Sequence, residues 1–198
     1  APGNLSNQNR VLFGGPTGSD AVESTIKLAK SNTDGHSLIA FRGGYHGGSA
    51  GALSLSSTRK YKEEYTPLLP DVHYAPYPYP FQQELSEQEA VNRSIQEVRT
   101  ILESPSSGVT NPAGIWVEPM QGEGGIITPP DGFLSGLKQI TDEHGIPLVV
   151  DEIQTGFGRT GKWFASDWYD LSPDAMPMAK GNPNTSPSVK LASLTIEV

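Results

Sequence analysis

A series of short apolar runs constrains the fold most: SLIAF (37–41), GIWV (114–117), IPLVV (146–150) and AMPMA (175–179), separated by helix-length amphipathic stretches. Each is shorter than an ordinary helix and almost wholly apolar, so each reads as a buried strand. VLF (11–13) is shorter still, ends in glycine, and reads the same way. Between the runs, Val22, Ile26 and Ala29 recur at helical spacing from Asp20 onward. Lys27 and Lys30 fall where the helix dipole favours cations. LSEQEAVNRSIQEVRTILES (85–104) puts Val91, Ile95, Val98 and Leu102 on one helical face, and GFLSGLKQITDEHG (132–145) predicts a helix stopped by Gly145. Strands alternating with helices predict an α/β fold, a largely parallel sheet with helices on both faces. Residues 58–82, dense in proline and tyrosine, read as an extended excursion, because proline is excluded from helix interiors and central strands.

Bulk properties narrow the function. The 198 residues suffice for one sizeable core or for part of something larger. A net charge of -8 with no Lys/Arg-dense stripe argues against nucleic-acid binding. The absence of cysteine excludes thiolate catalysis and disulfides. No apolar run is long enough to span a bilayer, and the first residues contain no signal-peptide core, so no membrane partner is expected. The expected setting is the cytoplasm, or an organellar matrix if a targeting segment precedes residue 1.

Chemically capable residues follow the strand ends: Glu118 after GIWV, Asp151 after IPLVV, Lys180 after AMPMA. Ligands of open α/β sheets sit outside the carboxyl ends of strands, so this pattern predicts one shared site. A nucleotide is the first candidate, because GFGRTGK (156–162) satisfies G-x-x-x-x-G-K. The pattern then requires Ser or Thr, and Trp163 stands there. No good helix follows, and Asp151 and Glu152 would repel a polyphosphate. The stretch therefore reads as a tight connection in which Arg159 and Lys162 have structural roles. Thr17-Gly18-Ser19, at the mouth of the first helix, is a better anion site, since unpaired backbone N–H groups point outward there. The same residues also read as a capping box, with Thr17 or Asp20 as the cap, and on local sequence alone the cap is the simpler reading.

Taken together, GPTGSDAVESTIKLAK (15–30), FRGGYHGGSAGALSLSS (41–57), WVEPMQGEGGIITPPDGFL (116–134), DEHGIPLVVDEIQTGFGRTGKWFA (142–165) and PDAMPMAKG (173–181) resemble the class-III (ω-amino acid) aminotransferases. They occur in the family's order, and the wording is most similar to the branch acting on 4-aminobutyrate or 2,4-diaminobutyrate. The resemblance implies a fold-type I large domain, incomplete here and covering residues 1–181, followed by a tail (182–198) outside the family pattern. It implies pyridoxal 5′-phosphate as cofactor, an ω-amino acid and a 2-oxo acid as substrates, and a homodimer in the full-length form.

It also implies roles for individual residues. Asp151 would face the cofactor's ring nitrogen, Gln154 its phenolic oxygen, Ile153 and Tyr45 its two faces, and Gly18 and Ser19 its phosphate. Lys180 would be the Schiff-base lysine, and Glu118 and Glu123 substrate-side carboxylates. His46 reads as a structural histidine, and no metal site is expected. Two other outcomes stay open: a silent remnant serving as a structural or binding module, or a racemase or aminomutase on the same scaffold.

Overall fold

The structure, a computed structural model, describes residues 9–181 and 193–197; for residue 9 and for 193–197 only the backbone is described. The described strands are β1 (Asn9–Phe13), β2 (Ser37–Phe41), β3 (Val72–Ala75), β4 (Pro112–Val117), β5 (Leu148–Val150), β6 (Ala175–Met178) and β7 (Ser193–Glu197). They form one sheet in the order β1-β7-β6-β5-β4-β2-β3. Pairing is parallel from β3 to β6, and β7 runs antiparallel to both of its neighbours. The long helices are α1 (Gly18–Thr33), α5 (Glu87–Glu103) and α6 (Phe133–His144); α2 (Ala50–Leu55), α3 (Arg59–Lys62) and α4 (Pro80–Gln83) are short.

Alternation of side chains along each strand divides the core in two. On one face Ile39, Phe41, Ile115, Val117, Leu148 and Val150 pack against α5 and α6, through Val98, Phe133 and Leu137 among others. On the other, Leu38, Ala40, Trp116 and Val149 pack against Val22, Ile26 and Ala29 of α1. Helices therefore cover both faces, as the uninterrupted apolar runs require. The helix ends follow local chemistry: Ser86 and Glu89 form a capping box at the start of α5, and Gly145 closes α6 in the left-handed region, with φ of 63°. Among the described residues no helix is long and apolar enough to cross a membrane.

Two expectations need correction. VLF is a strand but not a buried one: β1 lies at the sheet edge, and Val11, Leu12 and Phe13 are 50%, 45% and 68% exposed. Its apolar character was a poor guide because burial depends on what covers an edge. The proline-tyrosine segment is extended only in part: residues 59–62 form α3 and Pro80 opens α4, while residues 72–75 add the extended β3 parallel to β2 at the opposite edge. Pro76 stops that strand, which is where proline is tolerated in a sheet. The segment 182–192 and Val198, which hold most of the expected unmatched tail, lie outside the described residues.

Candidate active site

The loops leaving the carboxyl ends of the parallel strands surround one cleft of about 220 Å³. Every residue to which the resemblance assigned a cofactor or substrate role lines it: Gly18, Ser19, Tyr45, Glu118, Glu123, Asp151, Ile153, Gln154 and Lys180, together with Thr17, His46 and Gly47. Strands β2, β4, β5 and β6 are hydrogen-bonded in parallel, so residues just past their ends emerge on one side of the sheet.

At the mouth of α1 both readings of the sequence coexist. Thr17 and Asp20 form the capping box, with the Thr17 hydroxyl and N–H donating to the Asp20 carboxylate at 2.6 and 2.9 Å. That carboxylate is thereby turned back over Thr17 and Gly15. Among the described residues the N–H groups of Gly18 and Ser19 have no acceptor. The Ser19 hydroxyl accepts the N–H of Gly48 at 3.0 Å and keeps its own proton to donate. Gly18 is required by close approach: a Cβ there would lie 2.9 Å from Ile153 side-chain carbons.

Asp151 is buried, and each of its oxygens is engaged. Oδ1 accepts the N–H of Ile153 at 3.1 Å, and Oδ2 lies 2.8 Å from His46 Nδ1. His46 is itself buried and also lines the cleft. Burial opposes a charge on its ring, yet the hydrogen bond and negative charge of Asp151, with the charge of Glu118, outweigh that and raise its pKa. From sequence His46 reads as a structural histidine, and its carboxylate partner is 105 positions away. The one available signal was its place beside Tyr45 in the loop after β2.

Lys180 follows β6 and donates from Nζ to Gln154 Oε1 at 2.6 Å. Glu123 is exposed at the cleft mouth, where the Tyr61 hydroxyl donates to it at 3.1 Å, and the rings of Tyr45 and Tyr61 lie 5.0 Å apart. Glu118 is buried, with both oxygens accepting backbone N–H groups, from Tyr45 at 2.9 Å and from Gly122 at 3.0 Å. The donor set suits a flat, anionic, aldehyde-bearing group. It combines unpaired amides for a phosphate, a buried carboxylate, apolar Ile153 and Tyr45, and one primary amine.

The nucleotide-like stretch is elsewhere occupied. Arg159 donates to the Lys180 carbonyl at 3.1 Å and Lys162 to the Asp167 carbonyl at 2.7 Å. Only a short 3-10 turn, Ala165–Trp168, follows.

The sequence profile of the aminotransferase class-III family matches residues 3–187. Among curated proteins, the chain is 41% identical over 180 residues to an alanine/serine racemase of Pyrococcus horikoshii, covering 87% of this chain and 38% of the relative. It is 38% identical over 181 residues to a diaminobutyrate–2-oxoglutarate aminotransferase of Rhizobium meliloti, covering 90% and 38%. Among solved structures, an amine transaminase from an uncultivated Pseudomonas species, in its PLP-bound form, superposes with a TM-score of 0.82 at 30% identity, covering 95% of this chain and 43% of that one. The chain thus spans about two fifths of the length of these proteins. With the profile matched along nearly the whole sequence and the strand-end residues gathered at one cleft, the chain belongs to the class-III aminotransferase family.

Proposed function

We propose that the cleft binds pyridoxal 5′-phosphate and that the chain carries the cofactor-binding part of a transaminase. The substrates are an ω-amino acid as amino donor and a 2-oxo acid such as 2-oxoglutarate as acceptor. What carries this reading is the convergence of Lys180, Gln154, Asp151 and the mouth of α1 on one cleft. Support also comes from the PLP-bound Pseudomonas transaminase and the diaminobutyrate aminotransferase to which the chain is similar. In this reading residues 1–181 belong to a large cofactor domain, and the whole protein works as a cytoplasmic homodimer.

The bound cofactor would supply an electron sink for a carbanion on the substrate. The remaining work falls to side chains. The Asp151 carboxylate holds a proton on the ring nitrogen, and it cannot swing away because His46 and the Ile153 N–H fix its two oxygens. His46, with its pKa raised, reinforces that charge arrangement. Gly18 and Ser19 offer N–H groups to the phosphate, aided by the dipole of the 16-residue α1. Ile153 and Tyr45 exclude water with apolar surface. Lys180 provides the amine that holds the cofactor and, once released, moves a proton between substrate carbons. Gln154 aims that amine into the cleft. Glu123 stands at the mouth, where a substrate's charged end would arrive.

Mixing the chain with pyridoxal phosphate is expected to produce absorbance at the edge of the visible range that borohydride traps covalently. Lys180→Ala should abolish both. A folded wild-type chain that gains no Lys180-dependent band overturns the reading. The identity to the Pyrococcus racemase favours a second possibility, racemisation on the same site. It predicts product without any 2-oxo acid, which an acceptor-omission assay detects.

A further inference from the structure

Glu118 lines the cleft, yet transfer chemistry as derived above gives it nothing to do. It follows β4, is 6% exposed, and meets two backbone donors. Its Oε1 accepts the Tyr45 N–H, from the loop after β2; its Oε2 accepts the Gly122 N–H, from the turn after β4. Among the described residues neither amide has another acceptor. The Gly122 turn closes on itself through Gly125 and Ile126, both donating to the Gly122 carbonyl at 3.1 Å, and it carries Glu123. One carboxylate therefore ties together the loop that bears Tyr45 and the turn that bears Glu123.

We infer that Glu118 is a positioning residue whose ionised carboxylate clamps the Tyr45 loop to the Gly122 turn and so sets the shape of the cleft. With both oxygens committed to backbone N–H groups, Glu118 acts through the cleft wall rather than as the substrate-side carboxylate that the resemblance implied. That the shaped cleft receives pyridoxal phosphate rests on the proposed function; the clamp itself does not.

The reason is the arithmetic of acceptors. An ionised carboxylate accepts on both oxygens, and each bond to it is charge-assisted. A protonated one turns one oxygen into a donor facing an N–H, so half the clamp is lost. Burial pushes the Glu118 carboxyl up to about 7, opposed by His46 and the two amides and reinforced by Asp151. The titratable groups that face it are His46, Asp151 and Tyr77, whose hydroxyl donates to the Glu118 carbonyl at 3.2 Å. Burial and the charge of Glu118 push the Tyr77 phenol well above its ordinary value, so it stays neutral around neutral pH.

The test is amide hydrogen exchange resolved at Tyr45 and Gly122, corrected for the intrinsic pH dependence of exchange. In the wild-type chain, protection at both amides should rise together as pH passes through neutrality. In Glu118→Gln one oxygen can still accept but the NH2 cannot, so protection should fall about tenfold or more at one of the two amides and the pH step should vanish at both. Amides within α5 should not change. A flat wild-type profile overturns the clamp, as does a folded Gln variant that keeps full protection at both amides or keeps the step, since a persisting step belongs to His46. If the variant fails to fold, the wild-type profile decides alone. Affinity for pyridoxal phosphate should follow the same step. Absence of any Lys180-dependent band would instead remove the functional reading and leave the exchange data to judge the clamp.

Discussion

The glycine-rich loop at 156–162 and the mouth of α1 offer a comparison. The loop matches a phosphate-binding pattern; the helix mouth matches a capping box. In the structure the loop's two charged groups are spent on backbone carbonyls, Arg159 on that of Lys180 and Lys162 on that of Asp167, and the carboxylate just before the loop is spent on neighbouring donors. Glu152, fully buried, accepts the Ala165 N–H at 3.1 Å, the Ser166 N–H and hydroxyl at 2.7 Å each, and the Thr155 hydroxyl. Lys162 donates to the Asp167 carbonyl and lies 4.4 Å from the Trp168 ring centroid. At the helix mouth, capping consumes Thr17 and Asp20 but leaves the Gly18 and Ser19 amides facing the cleft. Which donors remain unpaired distinguishes a binding region from a structural one, and a pattern of residue types does not report it.

Four experiments can break or sharpen that contrast, the largest effect first. Glu152→Ala strips four donors of their acceptor and should cost about 3 kcal/mol or more, read as a lower urea midpoint. An unchanged midpoint would mean the loop holds itself.

The next concerns pH. Burying the charge of Glu118 costs more than its two amide bonds return, so its folded pKa is raised from 4.5 to about 7. Its contribution to global stability is fully present below 4.5 and lost as pH climbs through 7, even as the local clamp on Tyr45 and Gly122 tightens. That loss is about 3 kcal/mol by linkage. His46, also raised, adds to it in the same direction above 6.5. Unfolding free energies measured across that window should fall, and Glu118→Gln should flatten the lower part. A rise with pH would show that the cleft does not govern the titration.

Gly18→Val, at the mouth, should weaken pyridoxal phosphate about tenfold, or ~1.4 kcal/mol, by pushing Ile153 into the cleft. The smallest effect belongs to Lys162→Met, expected to cost about 1 kcal/mol of stability. It should leave cofactor affinity unchanged; a drop would return a ligand-binding role to the loop.

Strands β2, β4 and β5 could be read from sequence because strands buried on both faces are apolar at every position. Helices α1, α5 and α6 could be read because each carries one apolar stripe and a recognisable cap or stop. Exposure of β1 could not, since three apolar residues look alike whether covered or not. Strand β3 was hidden by its prolines, which proved to bound an edge strand. At the site, position in the pattern singles out Glu118, Asp151, Lys180 and the mouth of α1, whereas Tyr45, Glu123, Ile153 and Gln154 are named only through the family resemblance. The bonds between them could not be read: His46 finds Asp151, Tyr61 finds Glu123, and Glu118 finds two amides, all through tertiary folding.

Lys180 leaves β6 with φ of 61°, in the region that suits glycine. A residue with a Cβ pays about 1 kcal/mol or more to stand there. Glycine would make the same bend at ease while deleting the amine, so steadiness and reactivity make opposite demands on a single backbone position. A chain shaped only for durability would have no use for a lysine at that bend.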